Sequence, residues 1–296
     1  MEISLQQLRG FVAVAEEGHF GRAAIRLTMT QPPLTRQVQA LEKSLGVPLF
    51  ERTGRGARLT PGGEVFLDHC RRVLALLESA PAAVRRAAEG RTGTLRLAFT
   101  AIGAYAVLAD VLDFTARHLP EVSVELTELV SPDQFAALSD LRIDLGLVRP
   151  PIPDMYASVR VHSEDLVLAV PDGHPLAGGA EPVVLADASD DYIGYSPEGS
   201  RYLHDICAAM IGVDRYAVSQ LTSQVPTMLA LVRAGRGCAL IPRSVMAMGV
   251  RGVRYRELAA ADAHSVTLHA CWSPDNPNPA LRRVVDALTR EGLPAG

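Results

Sequence analysis

The sequence predicts an α/β two-lobed domain preceded by an N-terminal all-α winged helix-turn-helix and a long linker helix. Three observations support this fold class. Apolar residues recur at helical spacing in residues 4–45, a short arginine-bearing hairpin follows, and strands alternate with helices from Thr94 onwards. The 296 residues can bury more than one hydrophobic core, and a composition of 48% hydrophobic and 21% charged residues is typical of a globular protein.

The first two helices are predicted from their apolar faces and their end signals. The first begins at Ser4, which has capping-box spacing with Gln7, and Gly18 is placed to end it. A second, short helix follows and turns Phe20, the Ala23-Ala24 pair and Leu27 inward. The small alanine pair lets another helix approach closely.

The third predicted helix has one polar and one apolar side. Thr30 is placed to cap it, and Pro32 and Pro33 fall in its first turn, where a missing N–H costs little. Its apolar side holds Leu34, Val38, Leu41 and Leu45. Its polar side holds Gln31, Thr35, Arg36 and Gln39. Such side chains reach base edges and phosphates, so these residues predict the recognition helix of a DNA-binding protein.

A hairpin wing is predicted directly after the three helices. Two short extended pieces flank the tip Gly54-Arg55-Gly56, and the segment carries Arg52, Arg55 and Arg58. Wings follow the adjacent DNA backbone or minor groove, where arginine is favoured. The alternative interpretation of the same residues is a solvated surface loop.

A long helix is predicted from Thr60-Pro61 to about Glu89. Its apolar stripe consists of Phe66, Cys70, Val73, Leu74, Leu77 and Val84. A small domain cannot bury such a stripe alone, which favours pairing with the same helix of a second copy. Pro81 predicts a kink or an early break near residues 77–81, and residues 90–93 are expected to form a joint.

The alternation of strands and helices after this joint predicts a mostly parallel sheet. Strands are predicted at residues 95–99, 122–129, 143–148, 159–170, 239–241 and 266–272. Helices are predicted at residues 103–118, 132–141, 200–211, 225–234 and 277–291. About 200 residues suffice for two small lobes with a cleft between them. We therefore expect domains at residues 1–59, 60–89 and 90–296.

Charge and cysteine content narrow the class of protein. Residues 1–90 carry 12 basic against 9 acidic residues, and residues 91–296 carry 17 against 24, so a basic front precedes an acidic remainder. This modest asymmetry suits a nucleic-acid module joined to a larger domain. The four cysteines form no C-x-x-C, and no long apolar run or export signal is present. We expect reduced thiols, a cytoplasmic location and no membrane contact.

Enzymatic motifs are absent from the sequence, so no catalytic residue or cofactor is expected. Ser196 is not part of a G-x-S-x-G, there is no Walker loop or H-E-x-x-H, and Gly235-Arg236-Gly237 lacks the third glycine of a dinucleotide loop. His264, His269 and Cys271 could be drawn as a metal cluster, but this hypothesis is disfavoured. No metal site is predicted.

Candidate ligand-binding residues lie where predicted strands meet helix starts, because free N–H groups there can hold an anion. The candidates are Thr100, Ala101, Ile102, Ser131, Tyr195, Ser196, Ser200 and Tyr202, with Thr222 and Gln224 as a weaker pair. Ser131 is expected to cap its helix, and plain capping is the alternative role for such residues. Arg201 could pair with an acidic ligand, but its sequence context favours a surface position.

The N-terminal motifs resemble those of the LysR-type transcriptional regulators. They comprise Phe20-Gly21-Arg22-Ala23-Ala24, Thr30-Gln31-Pro32, Leu34-Thr35-Arg36-Gln37-Val38, Leu49-Phe50-Glu51-Arg52 and Leu59-Thr60. The resemblance covers residues 4–64. It extends less sharply to Asp144-Leu145-Gly146-Leu147 and to residues 231–242.

The resemblance implies a winged helix-turn-helix, a dimerisation helix and an effector domain like the periplasmic binding proteins. It also implies homodimers that assemble into a homotetramer. Lobe I is expected at residues 94–162 plus 267–296, and lobe II at residues 163–266.

The resemblance also assigns DNA contacts residue by residue. Gln31 and Pro32 match the helix-start pair that meets bases, and Thr35 and Arg36 match the next turn, where the family more often has serine than threonine. Gln31 suits adenine, and Arg36 suits guanine or phosphate. Arg52 and Arg55 match wing positions. Arg22 is assigned either a DNA-backbone contact or an ion pair on the helix surface, and Pro33 replaces the family's common alanine.

The sequence is therefore identified as resembling a transcription factor controlled by a small-molecule effector, an organic or aromatic acid. Its partners would be double-stranded DNA carrying an imperfect inverted repeat, the effector and further copies of itself. Two alternatives remain: a solute-binding or enzymatic α/β protein with an accessory helical domain, and a constitutive architectural DNA binder. The second leaves about 200 residues of α/β domain unexplained.

Overall fold

The computed structural model describes residues 3–53, 56–188, 191–212, 218–222 and 224–293. The chain divides into two units, Met1–Arg85 and Arg86–Gly296, and each is described by itself.

Three helices and a hairpin build the first unit. Helices α1 (Leu5–Glu17), α2 (Phe20–Arg26) and α3 (Gln31–Leu45) precede the antiparallel strands β1 (Phe50–Thr53) and β2 (Gly56–Leu59). The capping box is confirmed, because the Gln7 N–H donates to Ser4 Oγ and the Ser4 N–H donates to Gln7 Oε1. Gly18 and Gly46 end α1 and α3 in left-handed conformation, as predicted.

An aromatic and aliphatic core holds these elements together. Phe11 is fully buried and packs 5.2 Å, centroid to centroid, from both Phe50 and Phe66. Leu34, Val38 and Leu41 of α3 enter the same core. The apolar side of α3 is therefore the buried side, which leaves its polar side outward.

Helix α4 (Pro61–Ala88) runs through Pro81 without interruption, so the predicted early break near residues 77–81 is wrong. Proline removes one N–H from the helical ladder, and the leucines and alanines on either side are strong helix formers that carry the helix across the gap. Several apolar side chains of α4 lie exposed on this chain: Val65, Val73, Leu76, Leu77 and Val84.

The main sheet of the second unit is mixed rather than mostly parallel, which corrects the sequence expectation. Its strands are β3 (Thr92–Phe99), β4 (Glu121–Glu128), β5 (Leu145–Val148), β6 (Ala157–Pro171), β9 (Ala239–Pro242), β10 (Val253–Arg256) and β11 (Ser265–Trp272). β3 pairs in parallel with β4 and β5, whereas β11 runs antiparallel to β5 and β6. The long strand β6 pairs with β11 along residues 157–165 and with β9 and β10 along residues 166–171.

Helices flank these strands and fill two main cores. They are α5 (Ala101–Gly103), a π-helical turn (Ala104–Leu108), α6 (Ala109–His118), α7 (Ser131–Ser139), α8 (Pro197–Ile211), α9 (Val225–Arg233) and α10 (Pro279–Glu291). One core joins β3 and β5 to α6 and α10, and the other joins the second half of β6 to β9, α8 and α9. Strands β7 (Tyr192–Tyr195) and β8 (Val218–Thr222) form a parallel pair; the sequence analysis expected a strand end at Tyr195 but gave neither its bounds nor its pairing with β8. No helix within the described residues is both long and apolar enough to cross a membrane.

Candidate DNA interface and ligand cavity

The polar side of α3 is open to solvent at its N-terminal end. Gln31, Pro32, Arg36 and Gln39 are exposed, and Thr35 is half-buried. Thr30 occupies the N-cap position and is exposed, but its side chain makes no capping hydrogen bond, which corrects its predicted capping role. The exposed set is compatible with contact to a duplex, since none of these side chains is needed to fill the core.

Hydrogen bonds from backbone N–H groups hold the hairpin of β1 and β2 against the helices. Glu42 Oε1 of α3 accepts hydrogen bonds from the Leu49 and Phe50 N–H groups at 2.8 and 3.2 Å. The Ala57 N–H donates to the Gly18 carbonyl at 2.9 Å. These bonds fix the hairpin against both ends of the helix-turn-helix.

The predicted arginine contacts fall into three situations. Arg22 has a side chain that is 63% exposed and lies 3.5 Å from the Glu17 carboxylate, so it sits in the surface ion pair that was its alternative role. Arg52 lies in β1 opposite Ala57. Arg55 lies outside the described residues.

A cavity of about 280 Å³ opens in the second unit and collects most of the predicted ligand-binding residues. Those that line it are Thr100, Ala101, Ile102, Ser131, Ser200, Tyr202 and Gln224. Arg201 also lines it. Tyr195, Ser196 and Thr222 do not: Tyr195 is 1% exposed, and Thr222 Oγ1 accepts the Gln224 N–H at 3.2 Å.

Two hydroxyls stand where the neighbouring parallel strands β3 and β4 lead into helices. Thr100 Oγ1 accepts the Gly103 N–H at 3.0 Å. Ser131 does not cap α7 as expected: Val130 occupies the N-cap position, and Ser131 Oγ instead accepts the Arg149 N–H at 3.2 Å. Each hydroxyl uses one lone pair and retains an O–H that can donate to a ligand oxygen.

Tyr202 connects the cavity wall to strand β11. Its hydroxyl oxygen accepts the Thr267 N–H at 3.2 Å and lies 3.4 Å from Thr267 Oγ1. Ser200, two residues earlier, has a non-helical backbone conformation inside α8. Both residues line the cavity, and the irregular turn at Ser200 departs from the simple strand-to-helix junction expected there.

Arg149 is a cavity residue that the sequence analysis missed. Its side chain is 7% exposed, donates from Nη1 to the Thr267 carbonyl at 3.1 Å, and lies with Nη2 3.4 Å from Glu164 Oε1. A signal was available: Arg149 directly follows a fully buried strand, β5, and precedes two prolines. A charged residue at the end of a buried parallel strand points to the mouth of the sheet, where ligands bind.

The four cysteine thiols lie in the protein interior, where burial disfavours the reactive thiolate form. Burial raises the pKa of Cys207 and Cys271 to about 12 and the pKa of Cys70 to about 11. Burial, together with the negative charge of Asp191, raises the pKa of Cys238 to about 11. All four thiols are buried and free. In the part of the chain that the structure describes, no group of three histidine, cysteine or acidic side chains could hold a metal ion.

Comparison with known protein families agrees with this two-unit organisation. The model of the bacterial regulatory helix-turn-helix protein, lysR family, matches residues 5–64, and that of the LysR substrate binding domain matches residues 88–292. Together these segments cover most of the chain. The chain belongs to the LysR family of DNA-binding transcriptional regulators with an effector-binding domain, which are not enzymes.

The chain also matches relatives over nearly its whole length and theirs. The transcriptional regulator IlvR of Caulobacter vibrioides is 36% identical over 98% of this chain and 99% of its own length. The regulator AlsR of Bacillus subtilis is 33% identical over 96% of this chain and 94% of its own. The crystal structure of full-length CbnR complexed with target DNA is 31% identical, with a TM-score of 0.76 over 97% of this chain and 99% of that one.

Proposed function

We propose that this regulator reads DNA through α3 and the hairpin, and that a small carboxylic acid, aliphatic or aromatic, controls it from the cavity. One observation carries the effector class. The Thr100 and Ser131 hydroxyls and the buried Arg149 line one cavity at adjacent strand ends. Hydroxyl donors beside a cation are the groups that recognise a carboxylate.

The remaining walls support an apolar body for this acid. Ile102, Val130, Phe135 and Leu203 line the cavity together with four prolines. Among the lining residues that the structure describes, none is aspartate or glutamate, so an amine would find no counter-charge. Small-molecule sites of this kind combine apolar walls with a few polar groups that fix orientation.

DNA recognition is proposed to use two copies of α3 on successive major grooves of an imperfect inverted repeat. Gln31, Thr35, Arg36 and Gln39 would read bases and phosphates. The further DNA contacts of this proposal are Arg22, Thr30, Pro32, Arg52 and Arg55. The exposed apolar residues of α4 support self-association, because an aliphatic stripe on a long helix is stabilised by a partner helix. We propose dimers that assemble into tetramers, in the cytoplasm.

The proposed domains are residues 1–59, 60–89 and 90–296, with the last divided into lobe I (94–162 and 267–296) and lobe II (163–266). The change of partner along β6 after Asp165, from β11 to β9 and β10, supports a division there. The acid would act by binding two arrangements of these lobes with different affinity, since equal affinity shifts no equilibrium.

Substituting valine for Thr100 tests the effector site. Thr100→Val keeps the shape but removes the O–H donor, together with the oxygen that accepts the Gly103 N–H, so we expect the affinity for an acid that stabilises the wild type to fall roughly tenfold. The measurement is the ligand-dependent melting shift across a panel of aliphatic and aromatic acids. Thr127→Val, on exposed β4, is the matched control and should keep the full shift. An unchanged shift in Thr100→Val, or a wild type that no acid stabilises, would contradict the proposal.

A further inference from the structure

A buried ion pair sets the charge at the ligand cavity. The side chains of Arg149 and Glu164 are 7% and 4% exposed, and their closest nitrogen and oxygen atoms are 3.4 Å apart. Arg149 lines the cavity, whereas Glu164 lies on β6 behind it. A buried cation that is already paired carries little net charge toward a ligand.

Other contacts hold the Glu164 carboxylate in place. Its Oε2 accepts the Ser244 N–H at 2.7 Å, and its Oε1 lies 3.8 Å from His162 Nε2. Nearby Arg243 donates to both carboxylate oxygens of Glu257 and is therefore occupied. Glu164 is thus the partner of Arg149. The Ser244 N–H, which does not titrate, holds the Glu164 carboxylate in place.

Further positive charge is scarce around the cavity. Arg201 lines it, but its side chain is 74% exposed and lies 3.6 Å from Asp205, so solvent and a carboxylate screen its charge. Within the described part of the chain, Arg149 and Arg201 are the basic residues that line the cavity. A ligand therefore meets one buried cation, and Glu164 neutralises it.

We infer that Glu164 is a specificity-determining residue that restricts the effector to acids with a single negative charge. The one carboxylate would be held by hydroxyls and the Arg149 region. A second would have to leave water for a wall of Phe135, Leu203 and prolines without a counter-charge, which is unfavourable. This inference rests on the proposed carboxylate site and narrows its ligand class.

The test compares acids that differ only by a methyl and a carboxylate group: hexanoate with adipate, and 4-methylbenzoate with terephthalate. Calorimetry on the full chain should show that the wild type binds each monoacid more tightly than its diacid. Glu164→Gln keeps the shape and frees the charge of Arg149. We expect it to shift the preference toward the diacids by roughly tenfold, because the cavity then carries an uncompensated positive charge, and a dianion is attracted to that charge more strongly than a monoanion.

Two controls separate charge from shape. Glu181→Gln, at an exposed position, removes the same charge elsewhere and should keep the wild-type preference. In the double variant Glu164→Gln with Arg149→Gln, the site again carries no net charge. This variant should therefore lose the diacid affinity that Glu164→Gln alone gains. If Glu164→Gln does not fold, Arg149→Gln alone leaves Glu164 unpaired, and diacids should then lose more affinity than monoacids.

The outcomes distinguish the two proposals. A wild type that prefers the diacids, or equal preferences in the wild type and Glu164→Gln, would overturn the role of Glu164 while leaving a carboxylate site intact. If neither protein binds any of the four acids, the carboxylate site itself is wrong, and the inference fails with it.

Discussion

Asp144 shows how one buried charge stabilises the second unit. Its carboxylate is fully buried and accepts the Arg96 N–H at 2.8 Å, Arg96 Nη2 at 2.7 Å and Asn276 Nδ2 at 3.1 Å. Burial opposes the charge of Asp144, but these hydrogen bonds outweigh it and hold its pKa below the usual value. The network joins β3, the start of β5 and the segment before α10.

Asp144→Asn should lower the free energy of unfolding by roughly 2–4 kcal/mol at pH 7, because the charge-assisted bonds are lost inside the protein. A carboxyl group with a lowered folded-state pKa stabilises the fold above its unfolded pKa of about 4, and this contribution disappears as the pH falls through the folded pKa. Urea unfolding should therefore show the wild type and the variant converging below about pH 4.

Asp140→Asn is the matched control for Asp144→Asn. Asp140 is 64% exposed and lies 3.4 Å from Arg142, so the change should cost less than about 1 kcal/mol. Two results would argue against this account. One is that both substitutions lower the free energy of unfolding equally; the other is that the difference in this free energy between the wild type and Asp144→Asn stays constant from pH 7 to pH 3.

Residue types were predictable where local chemistry decides the outcome. The capping box of Ser4 and Gln7 and the helix end at Gly18 depend only on residues close in sequence, and both are observed as predicted. Arg149 and Ser131 depended on distant partners, because Arg149 is defined by Glu164 and Thr267, and Ser131 by Arg149. Sequence patterns do not show which residues distant along the chain come into contact in the fold.

At the scale of elements, the position of the hairpin depends on a close backbone approach. Gly56 has φ +152°, and a Cβ built there would lie 2.4 Å from the Gly18 carbonyl oxygen. Only glycine combines that conformation with that contact. The neighbouring Ala57 N–H bond to Gly18 depends on the same approach.

Gly56→Ala should push β2 away from the helices and weaken DNA binding through the hairpin, with little loss of helix content. We expect roughly a tenfold lower affinity, as for the loss of one or two backbone contacts, in fluorescence anisotropy on a DNA fragment selected by the wild type. Gly62→Ala is the control, since its Cβ would come no closer than 3.7 Å to other atoms. Wild-type affinity in Gly56→Ala would show that the hairpin position is irrelevant.

Element types were largely predictable, whereas strand pairing was not. Helical periodicity gave α1 to α4 and α10 close to their observed bounds, and strand runs gave β3, β4 and β11. The antiparallel pairing of β11 with β5 and β6 joins segments about a hundred residues apart, which alternation of strands and helices cannot reveal. The prediction at Pro81 failed for a different reason: proline disfavours a helix locally, but the strong helix formers on both sides keep α4 continuous.

At the scale of the molecule, each unit has its own core and its own polar surface. In the first unit the apolar side of α3 is buried and the amide and guanidinium side is exposed. In the second unit the cavity residues Arg149 and Tyr202 both hydrogen-bond Thr267 of β11, a strand that pairs along β6. A ligand that engages these residues would act directly on the strands connecting the two sheet regions.

The central claim is that the exposed side of α3 contacts DNA, and Arg36→Ala tests it most directly. The measurement is a salt-dependent mobility shift on a fragment that the wild type selects from random duplexes. Arg282→Ala, an exposed charge removal on α10, is the control and should bind like the wild type. The account predicts that Arg36→Ala loses roughly 1–3 kcal/mol of binding free energy and relaxes selectivity. Wild-type affinity, selectivity and salt dependence in Arg36→Ala would contradict it.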